Sequence, residues 1–123
     1  MALRLKKLDA AGAVIYGNVR DMSEFRDIGL PVFARGMAIC APNGVAYPAR
    51  IGEDVCLGSS GQIPIRTGDV LVGDENGVAV IPKAMEEDVI RLLPKLVEQD
   101  EKVRQALENG STAEEAFKLR SIQ

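Results

Sequence analysis

Arg20 and Asp21 stand side by side between an apolar run, Ala13-Val14-Ile15-Tyr16, and a segment with helical character. A carboxylate in a strand-to-helix turn can hold a hard divalent cation such as Mg²⁺ through oxygen. The adjoining guanidinium offers a planar fork of donors suited to a substrate carboxylate or a developing enolate. Backbone donors at the start of a helix favour the same anion. A plainer reading competes, in which Asp21 only caps the helix and Arg20 is a surface charge. On spacing alone the capping reading comes first.

The other candidates carry less. The chain has no histidine, which removes His-based triads, His general bases and nearly all zinc catalysis. Acid–base work falls to carboxylates, Lys, Tyr, Cys or a metal-bound water. Cys40 and Cys56 are too far apart for a paired motif and are expected to be buried, reduced thiols. Gly58-Ser59-Ser60-Gly61 lacks the Lys-Ser/Thr pair of a phosphate loop and reads as a turn. Asp69 and Asp74 are expected to serve turns at strand ends, with metal binding as the lesser alternative.

These residues must be positioned by a chain of 123 residues, enough for one domain with a real core. Apolar residues make up 46% and charged residues 27%, the balance of a globular protein. A net charge of -3 with interleaved signs, and aromatic residues at only 4%, argue against a direct nucleic-acid binder. No stretch approaches the ~20 apolar residues of a membrane span, and Met1 to Lys7 lacks a signal-peptide apolar block. The expected compartment is the cytoplasm.

Residues 2 to 10 read as a short amphipathic helix stopped by Gly12, and 13 to 16 as a buried strand. Asp21 with Glu24 three residues on has the form of a capping box for a helix over 22–28, ended by Gly29. Pro31-Val32-Phe33-Ala34 reads as a second buried strand. From 45 to 81 the chain is β-rich: 45–57 alternates loosely, 63–65 is a short strand, and 70–72 with 78–81 flank Asp74-Glu75-Asn76-Gly77, whose Asn-Gly step signals a hairpin. Beyond Pro82 the pattern is helical, with Met85, Val89, Leu92, Leu96, Val103 and Leu107 on one face. Pro94 should kink that helix or open another. Gly110 ends it, and Ser111 with Glu114 forms a capping box for a last helix through Phe117.

Two blocks resemble a known superfamily. Residues 17–36, GNVRDMSEFRDIGLPVFARG, are similar to the signature of the regulator-of-ribonuclease-activity-like proteins, whose other branch is the metal-dependent pyruvate aldolases. Residues 67–82, TGDVLVGDENGVAVIP, resemble the second block of that superfamily. The likeness implies an α/β fold of the swivelling β/β/α type, with a central mixed sheet and a helical C-terminal tail, over a single domain spanning 1–123.

It also implies a site. Asp21 matches the family's ligand for Mg²⁺ or Mn²⁺, and Arg20 matches the residue that stabilises the pyruvate enolate. The activity implied is aldol cleavage of 4-hydroxy-4-methyl-2-oxoglutarate-type acids and decarboxylation of oxaloacetate, with the metal as Lewis acid. Glu98 or Glu101 is a candidate for the carboxylate that a neighbouring subunit contributes in some members. The departures are that the family's N-terminal portion, with its glycine-containing anion loop, has no counterpart here. Tyr16 stands where many relatives have Asp, and Thr67 replaces the usual Pro. The apolar surface left without that portion, together with the family's habit, leads us to expect a homo-oligomer, a trimer above all. The alternatives are a non-catalytic interaction protein of the ribonuclease-regulating kind and an inactive, shortened relative.

Overall fold

The computed structural model describes residues 1–44, 46–58 and 63–120. The turn expected at Ser59–Gly61 lies outside these. Two compact units divide the chain, Met1–Val80 and Ile81–Gln123.

In the first unit, α1 (Ala2–Lys7) leads into β1 (Ala13–Val19), α2 (Met22–Asp27) and β2 (Val32–Met37). Both strands run longer than their apolar cores suggest, because the pairing resumes at Asn18↔Gly36 and Val19↔Met37. β1 and β2 are parallel, in register from Ala13↔Val32 to Ile15↔Ala34 and again at Asn18↔Gly36 and Val19↔Met37. Two residues of β1, Tyr16 and Gly17, therefore stand against the single Arg35 of β2. This is a bulge, which is rare in a parallel pair and re-aims the side chains around it. A hydrogen bond of 3.2 Å from Lys6 Nζ to the Gly29 carbonyl ties α1 to the chain just after α2.

β3 (Val55–Leu57) and β4 (Ile63–Ile65) pair antiparallel, and β5 (Val70–Asp74) pairs with β6 (Gly77–Ile81). The strand expected over 45–57 is reduced to its last three residues; Ala46–Asp54 carries no strand. The hairpin is present, but Asn76-Gly77 does not form its two-residue loop. Glu75 and Asn76 are the loop residues, and neither takes a positive φ. The Asp74 carboxylate closes the turn instead, accepting from the backbone N–H of Asn76 at 2.8 Å and of Gly77 at 3.2 Å. An Asx-type side chain can replace a primed turn in this way.

The described strands thus form three two-stranded sheets in place of one central mixed sheet. The mixed α/β character stands. Among the described residues the buried apolar ones are few: Ala2, Val19 and Leu30 in the first unit, Val103 and Ala116 in the second. Val14, Val55, Ile63 and Leu71 are among the exposed large apolar side chains.

In the second unit a short 3₁₀ turn (Lys83–Met85) leads into α3 (Glu86–Glu108), followed by α4 (Ala113–Phe117). Pro94 lies inside α3 without dividing it. The final capping box falls one residue later than the sequence pattern suggests. Thr112 is the N-cap, and its hydroxyl accepts from the Glu115 N–H at 3.3 Å while the Glu115 carboxylate accepts from the Thr112 N–H at 2.9 Å. An ion pair of 3.0 Å between Arg120 and Asp100 joins the end of the chain to α3. Of the apolar face expected along α3, Val103 is buried, and Met85, Leu92, Leu96 and Leu107 are exposed. No helix among the described residues is long and apolar enough to cross a membrane.

Candidate functional site

Arg20 leaves the C-terminal end of β1, and Asp21 begins α2. The capping expectation fails in a specific way. Asp21 occupies the N-cap position, but its side chain makes no cap hydrogen bond and its backbone is left-handed, with φ 61 and ψ 42. An N-cap normally sits in the extended region so that its oxygen can turn back onto the helix N–H groups. The left-handed backbone points the carboxylate elsewhere. It meets its neighbour: Arg20 Nε donates to Asp21 Oδ2 at 2.9 Å. Asp tolerates this conformation better than most residues, at some cost in strain.

The pair is partly open to solvent, with side-chain exposures of 44% and 53%. One guanidinium edge is committed to Asp21; the terminal N–H groups of Arg20 make no other hydrogen bond among the described residues. The second carboxylate oxygen of Asp21 is likewise uncommitted. Among the described residues no group of three or more carboxylates or thiols gathers to hold a metal. A single carboxylate still fits Mg²⁺ or Mn²⁺, because such ions keep several waters and use one or two protein carboxylates with substrate oxygens.

The other candidates are placed differently. Glu98 pairs with Lys102 at 2.6 Å and Glu101 with Arg104 at 2.6 Å, all along α3. Hydrogen bonding from Lys102 lowers the Glu98 carboxyl, and the Arg104 fork with Gln105 brings Glu101 down to about 2. Both carboxylates are thus satisfied within their own helix. Cys40 and Cys56 are free and exposed, not buried; both lie in or beside the β-poor stretch that supplies little cover. Asp69 serves its turn as expected, accepting from the Arg66 N–H at 2.8 Å.

Sequence reasoning missed a second constellation. A cavity of about 490 Å³ opens beside the β1 bulge, lined by Tyr16 and Arg35 and by the β5–β6 hairpin tip, Asp74 to Gly77. The Arg35 guanidinium sits over the Tyr16 ring, 4.9 Å from its centroid. Arg20 and Asp21 do not line this cavity. A further cavity of about 510 Å³, walled by Val14, Phe33, Val55, Leu57, Ile65 and Leu71, carries no charged side chain. No spacing rule pairs residue 16 with residue 35; only the strand register does.

Comparison with known proteins follows the same lines. The family model described as "RraA-like: Aldolase/RraA" matches residues 1–80. A protein of Halalkalibacterium halodurans named "Putative 4-hydroxy-4-methyl-2-oxoglutarate aldolase" is 37% identical over 112 residues, covering 91% of this chain and 51% of that protein. An uncharacterized protein of Methanocaldococcus jannaschii is 32% identical over 96% of this chain and 55% of its own length. Protein DlpA of Legionella pneumophila is 32% identical over 85% of this chain and 17% of its own length. A crystal structure of an uncharacterized protein from Pseudomonas syringae pv. tomato superposes with a TM-score of 0.69 at 23% identity, covering 81% of this chain and 48% of that one; it speaks for the fold alone. The chain spans about half the length of the Halalkalibacterium halodurans and Methanocaldococcus jannaschii relatives it matches.

Proposed function

The chain belongs to the RraA-like family, and from that premise we propose that it is a divalent-metal-dependent carbon–carbon lyase acting on a small 2-oxo acid. The substrates that fit are 4-hydroxy-4-methyl-2-oxoglutarate and oxaloacetate. The observation that carries the reading is the Arg20–Asp21 pair at the end of a parallel strand, with Asp21 withdrawn from capping by its left-handed backbone. A carboxylate whose only task was to cap would be expected to cap.

Asp21 would hold Mg²⁺ or Mn²⁺ through its uncommitted oxygen. The ion, when bound, would polarise the 2-oxo group of the substrate. Arg20, held by its Nε bond to Asp21, keeps its terminal N–H groups for the substrate. Cleavage of the bond between C3 and C4 sends its electron pair into the pyruvate enolate, while the 4-hydroxyl loses its proton and becomes a carbonyl. Loss of CO₂ from oxaloacetate gives the same enolate. In both reactions C3 then takes up a proton and pyruvate leaves. Arg20 acts where this charge develops, so it favours the transition state over the bound substrate.

Exposed large apolar side chains such as Val14, Ile63 and Leu71 support a further part of the reading, assembly into a homo-oligomer, for which three-fold symmetry is the family expectation. Exposed apolar patches are the kind of surface that association covers. The same exposure favours a second reading, a non-catalytic protein-binding module of the ribonuclease-regulating kind.

Pyruvate release from oxaloacetate and from 4-hydroxy-4-methyl-2-oxoglutarate separates the two. With Mg²⁺ or Mn²⁺ the lyase reading expects turnover that a chelator abolishes. Arg20→Lys should lower it on the order of 10²-fold, and Asp21→Asn should weaken dependence on the metal. Equal background rates from wild type and both variants, with every metal, would turn the assignment to the binding role. Light scattering tests assembly, and a monomer mass across micromolar concentrations would end that part.

A further inference from the structure

The cavity beside the β1 bulge holds two charges that the fold leaves uncompensated. Arg35 lies over the Tyr16 ring and makes no ion pair among the described residues. A guanidinium stacked by one face keeps its N–H groups free at the edge, the edge that grips a carboxylate. On the hairpin side Glu75 makes no hydrogen bond or ion pair among the described residues. Its neighbour Asp74 is different. That carboxylate is taken up by the Asn76 and Gly77 N–H groups and the Asn76 amide, which lower its pKa. One free cation and one free anion therefore line the same cavity, and Val14, Val32, Leu57 and Val78 supply apolar lining to it.

The strand register sets up this arrangement: one step beyond Ile15↔Ala34 puts Tyr16 against Arg35, with its ring under the guanidinium, and the irregularity that follows leaves Gly17 there as well. Irregularities of this kind are over-represented beside functional sites. The volume, about 490 Å³, falls within the range of roughly 300–1,000 Å³ seen for small-molecule clefts.

We propose that this cavity binds a small zwitterion with an apolar body, a free α-amino acid of the leucine type, its carboxylate on Arg35 and its ammonium on Glu75. A simple anion would meet Arg35 but would also face Glu75 and Asp74. A simple cation would meet Glu75 but would face Arg35. Only a ligand carrying both signs complements both walls. The site is separate from Arg20 and Asp21, which do not line it, and it stands whether or not the lyase reading does.

Titration of the whole chain by heteronuclear NMR or calorimetry tests this, with leucine as probe. Two analogues each lack one charge: 4-methylpentanoate has no ammonium, and 3-methylbutylamine has no carboxylate. Leucine should bind saturably, and each analogue should bind roughly tenfold or more weakly, the scale of one lost charge-assisted hydrogen bond. Glycine should also bind more weakly, since it has no side chain for the apolar walls. Arg35→Gln should reduce leucine binding to the level of 3-methylbutylamine and leave the amine unaffected. Glu75→Gln, at an exposed hairpin tip, should do the converse with 4-methylpentanoate. The analogue series on wild type decides the matter even if Arg35→Gln fails to fold. Absence of saturable leucine binding would overturn the proposal. So would an analogue that binds as tightly as leucine, or leucine affinity unchanged in folded Arg35→Gln and Glu75→Gln.

Discussion

The ring of Phe33 in β2 fills the space that a side chain on Gly73 of β5 would need: a Cβ there would meet three of its ring carbons, Cζ nearest, then Cε2 at 2.6 Å and Cε1 at 2.8 Å. The two residues belong to different two-stranded sheets, so this close approach is what brings the β1–β2 pair and the hairpin together. Gly73→Ala should cost about 1–3 kcal/mol, the range for an overpacked site. Phe33→Ala in the same chain should recover part of that loss, because the pair is coupled through one space. Urea denaturation of the two single variants and the double variant checks it; strict additivity would mean that the ring does not sit against Gly73.

The left-handed backbone of Asp21 gives a prediction that separates strain from capping. Its side chain makes no cap hydrogen bond, so Asp21→Gly should hold or raise stability by relieving the backbone. Asp21→Ala keeps the strain without a side chain suited to it, and should lose on the order of 1 kcal/mol. A normal N-cap shows another order, with both replacements losing stability and alanine the worse. Thermal unfolding of the two variants, in chelator so that no metal contributes, distinguishes the cases. A loss in Asp21→Gly would restore the capping role.

The last helix offers a comparison of adjacent residues. Thr112 carries the capping box and Ser111 does not. Thr112→Ala should therefore cost about 1 kcal/mol, while Ser111→Ala should change stability by no more than about 0.5 kcal/mol, as for an ordinary surface site. Loss on Ser111→Ala alone would move the start of α4 back by one residue.

The acid limb of stability follows from the carboxylates whose partners favour the charged form. Glu101 is lowered to about 2 by the Arg104 fork and Gln105, and Glu98 is lowered by Lys102. Asp74 is lowered by its turn N–H groups and Glu115 by its capping contacts with Thr112. A depressed folded-state pKa stabilises the fold above the unfolded value and loses that contribution as pH falls through the folded one. Helicity from α3 and α4, read by far-UV circular dichroism, should thus hold down to about pH 4.5, the ordinary glutamate value, and decline towards pH 2. All these groups are exposed, so 1 M salt should blunt the effect. Helicity that does not change over that window would show the pairs to be inconsequential.

Much of this molecule is local, and the local part is legible in the residues. The helix after Pro82, the hairpin around Asp74–Gly77 and the adjacency of Arg20 with Asp21 follow from periodicity, turn chemistry and bare succession. Each depends on hydrogen bonds or contacts a few residues apart, which spacing encodes directly. Family membership was legible for the same reason, since both signature blocks are short contiguous runs. The shift of the cap from Ser111 to Thr112 marks the limit of that reading, because both residues offer a hydroxyl and both have a glutamate three positions on.

What only the tertiary structure decided is set by segments far apart in the chain. The slip in register that places Tyr16 and Gly17 against Arg35, the left-handed turn that takes Asp21 off its helix, and the seating of Phe33 on Gly73 are not signalled by any single run. Nor is the exposure of Cys40 and Cys56, which reflects how little structure covers them. Strand register is fixed by the sum of pairings along both strands and by whatever packs on their faces. A bulge changes that sum by one residue, and its position emerges only when the two strands are laid side by side.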